Sequence, residues 1–144
     1  MMAHRSIGKN CMSVLEFADT NIVVYAVGQD SDKRTKARQI LVDGVTVSAQ
    51  VINETLNVLT RKQGVNLVVA HEVAESLLEL CEVVPVAENT IREAIRLTRR
   101  YKLSHWDSLI VAAALMAGCE KLYSQDMQHG QVFDEQLKVV NPFL

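Results

Sequence analysis

The stretch Ser104–Ser124, "SHWDSLIVAAALMAGCEKLYS", changes character twice, and both changes can be read physically. Ser104 is placed to cap a helix, with Asp107 as its reciprocal partner three residues on and near the positive end of the helix dipole. From Leu109 to Cys119 the chain is apolar apart from Gly118. That run is shorter than the roughly 20 residues needed to cross a bilayer, so it reads as a helix buried in a core. Gly118 ends the helix, and "KLYS", Lys121–Ser124, follows as a short strand.

The same alternation extends in both directions. "SVLEFA", Ser13 to Ala18, reads as a first strand stopped by Asp19-Thr20-Asn21, and residues 22–27 begin a helix or irregular turn. Residues 35–42 form a helix closed by Asp43-Gly44, and "VTVS", Val45–Ser48, is a second strand. Gln50 to Lys62 carries Ile52, Leu56 and Leu59 at helical spacing and stops at Gly64. Asn66 to Cys81 repeats the pattern, with Leu67, Ala70, His71, Ala74, Leu77, Leu78 and Cys81 expected inward, so that the two helices make a hairpin. Pro85 confines the strand at residues 83–86 to an edge or terminal position. An amphipathic helix over residues 90–101 leads back to Ser104, and "KVV", Lys138–Val140, is the last strand. Short apolar strands alternating with helices predict an α/β fold, a parallel sheet covered on both faces, whose ligands bind beyond the carboxyl ends of the strands.

Composition narrows the class. The 144 residues predict one domain, with 49% hydrophobic and 22% charged residues and only 6 Gly and 2 Pro, which leaves no low-complexity segment. A net charge of −2 gives no global attraction for nucleic acid, so any such binding needs a local basic face or cations that neutralise the site. Three cysteines, Cys11, Cys81 and Cys119, are too few for a disulfide framework, and with no secretory or membrane-spanning segment the expected location is cytoplasmic. Residues 1–11, "MMAHRSIGKNC", show no periodicity and precede a further methionine, Met12, so the domain is expected over residues 12–144, with 1–11 as a flexible or added extension.

Four acidic residues break the local pattern. Asp19 directly follows the first strand, Glu54 sits near the start of the helix after the second, Asp107 is in the first turn of the apolar helix, and Asp126 follows "KLYS" by two residues. All four fall on the strand-carboxyl side. Clustered carboxylates repel one another and raise their own pKa values, a cost that a divalent cation removes. Oxygen ligands without a Cys or His cluster favour Mg²⁺ or Mn²⁺ over Zn²⁺. The competing reading is four separate caps and turn residues.

The segments "FADTNIVVYAV", "SAQVINETLNVLTRK", "YKLSHWDSLIVAAALMAGCEKLYSQDMQHG" and "LKVVNPF" together resemble the PIN-domain ribonucleases, and most closely the VapC-type toxins of type II toxin-antitoxin pairs. The resemblance runs from about Met12 to Leu144. It implies a three-layer α/β/α sandwich with a central, mainly parallel sheet of four to five strands. It also implies a Mg²⁺ or Mn²⁺-dependent endoribonuclease with Asp19, Glu54, Asp107 and Asp126 as the acidic metal site. Ser124 matches the hydroxyl that stands two residues before the last Asp, and Thr20 and Asn21 match the "DTN" that shapes the loop under the first carboxylate. A homodimer and a small cognate antitoxin that inserts near the carboxylates are implied as partners. Val68, Val69 and Val73, beside the inward stripe of their helix, are candidates for an exposed apolar patch.

Arg92, Arg96, Arg99 and Arg100 share one face of the helix that leads to Asp107, fitting an RNA backbone, an acidic segment of an inhibitor or an ordinary solvated face. His105 and His129 flank motif aspartates and are expected to be structural, since a metal-bound water needs no histidine base. Trp106 is expected to pack beside its helix, His71 to be a core or interface residue, and His4 belongs to the extension. A haloacid-dehalogenase-like phosphatase wants a second Asp where Asn21 stands. A phospho-acceptor receiver domain wants acidic residues where Phe17-Ala18 stand. An inactive PIN-like binding module is opposed by the four retained carboxylates.

Overall fold

The computed structural model describes residues 14–144, and the extension expected over residues 1–11 lies outside the described residues. The chain runs β1 (Glu16–Ala18), α1 (Thr20–Ala26), α2 (Ser31–Asp43), β2 (Thr46–Ser48) and α3 (Ala49–Asn57) into a π-helical turn, Val58–Lys62. It continues through α4 (Leu67–Leu80), β3 (Glu82–Val84), α5 (Glu88–Tyr101), α6 (His105–Met116), β4 (Lys121–Tyr123), β5 (Val132–Phe133) and β6 (Leu137–Val140).

The strands form one sheet in the order β3-β2-β1-β4-β6-β5, parallel except for β5. From β1 the chain steps outward to β2 and then β3, and returns over the sheet to β4 on the far side of β1. Right-handed crossovers therefore put α1–α4 on one face and α5–α6 on the other. Packing agrees: α1 meets α2 and α3, α3 meets α4, while α5 packs on α6, which lies against β2 and β6. The result is the expected α/β/α sandwich. β3 sits at an edge and ends just before Pro85, as the missing N–H of proline requires.

The sheet has six strands where the sequence predicted four to five. The additional one, β5, is two residues long and pairs antiparallel with β6 at Phe133↔Leu137. Its hairpin turn is made by Asp134 and Glu135 at φ 51° and 55°, with Gln136 N–H donating to Phe133 O at 3.0 Å. Both positions need the left-handed region, which usually announces itself as Asn-Gly.

The core is layered through the sheet. Phe17, Leu122 and Val139 come from the strands, Ile22 and Val23 from α1, and Ile110 and Val111 from α6, all essentially sealed from solvent. Seven consecutive α6 residues, Ser108–Ala114, are buried, because the sheet covers one side of this helix and α5 the other. Thr98 and Ser108 share a hydroxyl–hydroxyl bond of 2.7 Å across that helix pair. Each fully buried Leu or Ile here contributes about 1.5 to 3 kcal/mol of apolar transfer.

The inward face of α4 is narrower than its apolar pattern predicts. Ala70, Ala74, Leu77 and Cys81 are buried, but Leu67, His71 and Leu78 are exposed, since α4 packs on α3 along one stripe only. His71 is therefore not a core residue. Among the described residues no helix is long and apolar enough to cross a membrane.

Candidate functional site

In a parallel sheet the strand-carboxyl rim gathers the residues that follow each strand. Asp19 follows β1, Gln50 and Glu54 lie on the helix after β2, and Ser124 to Asp126 follow β4. Asp107, the third residue of α6, acts electrostatically on Asp19, while Asp126 and Glu54 act on Asp107. The four predicted carboxylates thus share one field. Among the described residues, however, no group of three or more His, Cys, Asp or Glu side chains is arranged to hold a metal ion unaided.

Asp19 is 6% exposed and fully tied down. One oxygen caps α1 by accepting from Thr20 N–H at 2.7 Å, and the other accepts from Ser124 Oγ at 2.8 Å and Asn21 Nδ2 at 3.3 Å. Asn21 Nδ2 also donates to Asp126 Oδ2 at 3.0 Å, and its Oδ1 accepts from Gln125 N–H at 3.1 Å. One amide therefore links the carboxylates of the first and last motifs. The expected supporting trio, Thr20, Asn21 and Ser124, all contact acidic residues of the cluster.

Glu54 is held from two elements. Thr20 Oγ1 donates to its Oε1 at 2.6 Å, and Gln50 Nε2 donates to its Oε2 at 3.1 Å. The same Gln50 nitrogen lies 3.2 Å from the carbonyl of Trp106, the residue before Asp107, which joins α3 to the first turn of α6. Gln50 was not singled out from the sequence. Its only signal there is a polar amide at the start of an otherwise apolar helix face.

At α6, Asp107 N–H donates to Ser104 Oγ at 3.1 Å. Among the described residues the return bond of the expected reciprocal cap, donated by the Ser104 N–H to the Asp107 carboxylate, is not made. An Asp side chain is shorter by one methylene than the Glu that usually closes such a box. Its carboxylate stays available to the rim.

Burial is the main force on the two inner acids. It pushes the Asp19 carboxyl up to about 6, reinforced by the negative charges of Asp107 and Asp126 and opposed by the Ser124 and Thr20 donors. Asp107 is also raised, first by burial and then by Asp126 and Glu54, with Ser104 opposing. No cation is among these influences. An all-oxygen set carrying uncompensated negative charge suits a hard divalent cation that keeps several waters.

The remaining candidates are not drawn to the rim equally. Arg92 pairs with Glu88 one turn away at 2.7 Å. Arg96 pairs with Glu93 at 3.0 Å and with Asp134, in the turn preceding β6 at the amino end of that strand. Arg100 lies 5.3 Å from the Tyr101 ring. Arg99 is exposed and, among the described residues, makes no ion pair. His129 Nδ1 accepts from Asn141 N–H at 3.0 Å, a structural role, and His105 meets Trp106 edge-on at 5.4 Å. Trp106 itself is 63% exposed rather than packed beside its helix.

A family model described as PIN domain matches residues 17–132. No curated protein matches the chain significantly. Among solved structures, the chain is similar to VapC20 of Mycobacterium tuberculosis, a Sarcin-Ricin loop cleaving toxin. That pair is 20% identical with a TM-score of 0.64, covering 77% of this chain and 89% of the other. A toxin-antitoxin complex from Klebsiella pneumoniae is 20% identical with a TM-score of 0.66, covering 88% and 97%. VapBC2 from Rickettsia felis, bound to a DNA fragment from its promoter, is 15% identical with a TM-score of 0.67, covering 88% and 99%. At these identities the likeness establishes the fold.

Proposed function

This chain belongs to the PIN domain family, and from that premise we propose that it is an endoribonuclease, the toxin of a toxin-antitoxin pair. The observation that carries the reading is the convergence of Asp19, Glu54, Asp107 and Asp126 at one rim, where two of them are held above the ordinary carboxylate range and no cation of the described residues is among the influences on them. Scattered caps would gain nothing from sharing a field.

These four residues would hold Mg²⁺ or Mn²⁺, through few direct ligands completed by water and substrate phosphate. Such an ion supplies Lewis-acid stabilisation of phosphoryl charge and a water of lowered pKa. The chain contributes preorganisation. Ser124 and Asn21 fix Asp19, Thr20 and Gln50 fix Glu54, and the capped first turn of α6 presents Asp107, so the acids need not reorganise when substrate arrives. The reaction is hydrolysis of an RNA phosphodiester by water in line with the 3′-oxygen, leaving a 5′-phosphate and a 3′-hydroxyl. The substrate's own 2′-hydroxyl takes no part. Arg92, Arg96, Arg99 and Arg100 are proposed as contacts for RNA or an inhibitor, with Arg99 and Arg100 the two outside carboxylate pairs among the described residues.

The proposed partners are an antitoxin that inserts near the carboxylates and a second copy of the chain. Exposed Leu67, Val68 and Val69 on α4, continued by an apolar cleft of about 410 Å³ between α2 and α4, support an apolar contact there. Sedimentation at micromolar concentration should give a dimer that Val68→Lys dissociates. The domain is proposed to comprise residues 12–144 and to act in the cytoplasm.

Incubating the purified protein with mixed RNA, with and without Mg²⁺ or Mn²⁺, and sequencing the new ends tests the activity. Metal-dependent cleavage with 5′-phosphate ends is expected. Ends bearing 2′,3′-cyclic phosphate would overturn the chemistry, and no cleavage with any metal would favour the binding-module reading.

A further inference from the structure

A rim of four carboxylates repels the phosphates on either side of the one being cut, so an RNA strand needs cations flanking the site. The arginine face of α5 is largely spent on ion pairs, Arg92 with Glu88 and Arg96 with Glu93 and Asp134. The first half of α2 is different. Lys33 and Lys36 have no carboxylate partner among the described residues, although Asp30 and Asp32 are close in sequence. The Asp30 side chain is taken by the Lys33 backbone N–H, as the cap of α2.

The ammonium of Lys33 is instead braced by neutral groups. It donates to Tyr25 Oη at 3.3 Å, lies 4.6 Å from the centre of the Tyr25 ring and 5.5 Å from that of Phe143. The two rings meet edge-on at 5.1 Å. Lys36 Nζ lies 3.3 Å from the carbonyl of Pro142. Pro142 and Phe143 follow β6 and so emerge at the same carboxyl rim as Asp19 and Asp126. Tyr25 Oη in turn donates at 2.6 Å to Oε1 of Gln125, the residue before Asp126, and the Gln125 backbone N–H donates to Asn21 Oδ1. Two hydrogen bonds therefore separate the Lys33 ammonium from the side chain next to the acidic cluster. Dipoles and ring faces orient a cation without cancelling its charge.

Resting on the nuclease reading, we propose that Lys33 and Lys36 hold an RNA phosphate adjacent to the scissile one, so that the strand crosses the rim on the α2 side. Tyr25 and Phe143 are positioning residues for Lys33 in this arrangement.

The test is fluorescence anisotropy of a labelled mixed-sequence single-stranded 20-mer RNA across a salt series, in chelator so that nothing is cut. Lys33→Gln/Lys36→Gln should weaken binding by on the order of 10-fold. It should also reduce the log–log salt slope by roughly 0.7, since the pair neutralises one phosphate charge. Lys33→Arg/Lys36→Arg should bind like the wild type. If wild-type protein binds RNA and the glutamine pair on α2 binds equally with an unchanged slope, this inference fails while the nuclease reading stands. If wild type does not bind RNA in chelator, this inference fails, and the metal-dependent cleavage assay decides the nuclease reading separately. If the pair loses polyglutamate binding but keeps RNA binding, the surface faces an acidic protein and the proposal is overturned.

Discussion

Asp19 and Asp134 are the same side chain treated in opposite ways. Asp19, at the carboxyl rim, is buried among other acids and its carboxyl is pushed up to about 6. Asp134, at the amino end of β6, accepts from Arg96 and Tyr101 Oη, and those donors hold it below the ordinary carboxylate range. Its own N–H donates to Tyr101 Oη at 2.8 Å, which closes the clamp from α5 onto the β5–β6 turn. One edge of the sheet satisfies its carboxylate to hold the fold together, while the other leaves its charge uncompensated. The molecule is internally strained where chemistry is proposed and relaxed where it is not.

The largest expected consequence separates the two edges by activity. Asp107→Asn keeps the Ser104 cap yet removes a charged oxygen from the rim, and should lower the cleavage rate by 10²- to 10³-fold, the scale of losing one preorganised electrostatic group. Asp134→Asn should leave the rate within about twofold. Equal losses from both would erase the distinction between the two edges.

Stability should depend on pH with opposite signs at the two edges. A carboxyl raised in the folded state stabilises fully below its unfolded value near 3.8, and that contribution is lost as pH rises through about 6. Metal-free wild type should therefore lose about 2 to 3 kcal/mol relative to Asp19→Asn between pH 4 and pH 7. Denaturant titrations in chelator would measure this difference, and a flat one would remove the strain from Asp19. Asp134 is lowered instead, so its contribution is present above the unfolded value and disappears on acidification. At neutral pH Asp134→Asn should cost about 1 kcal/mol, discounted for its partial exposure. Smallest of all, Arg92→Ala breaks a pair exposed on both sides and should shift unfolding by only a few tenths of a kcal/mol.

What the sequence made legible follows from locality. Strands β1, β2, β3, β4 and β6 are bounded apolar runs, and the apolar α6 requires cover on both sides, so the sandwich can be deduced from neighbouring residues alone. β5 escapes because Val132–Phe133 is too short for a period and its turn uses Asp134-Glu135 without glycine. The arginine periodicity of α5 is visible, but Asp134, which engages Arg96, is 38 residues away and carries no pattern pointing to it. The four acids stood out by breaking apolar context. Gln50, Tyr25 and Gln125 did not, because neutral bridging groups look the same whether or not they find a distant partner.

The placement of β1 also bears on how the chain is made. β1 lies at the middle of the sheet, between β2 and a β4 strand synthesised about a hundred residues later, with Phe17 opposite Leu122. The Asp19 backbone N–H waits for Tyr123 O, and its carboxylate waits for Ser124 and for the Asn21 link to Asp126. Contacts so far apart along the chain form late, since their loop closure must precede any gain. On a ribosome that delivers the chain from its amino end, the acidic rim cannot be assembled until β4 and Asp126 have emerged. A nascent or truncated chain that stops before β4 carries three of the four acids and no complete site, so translation itself delays the appearance of the proposed nuclease until β4 and the residues through Asp126 are in hand.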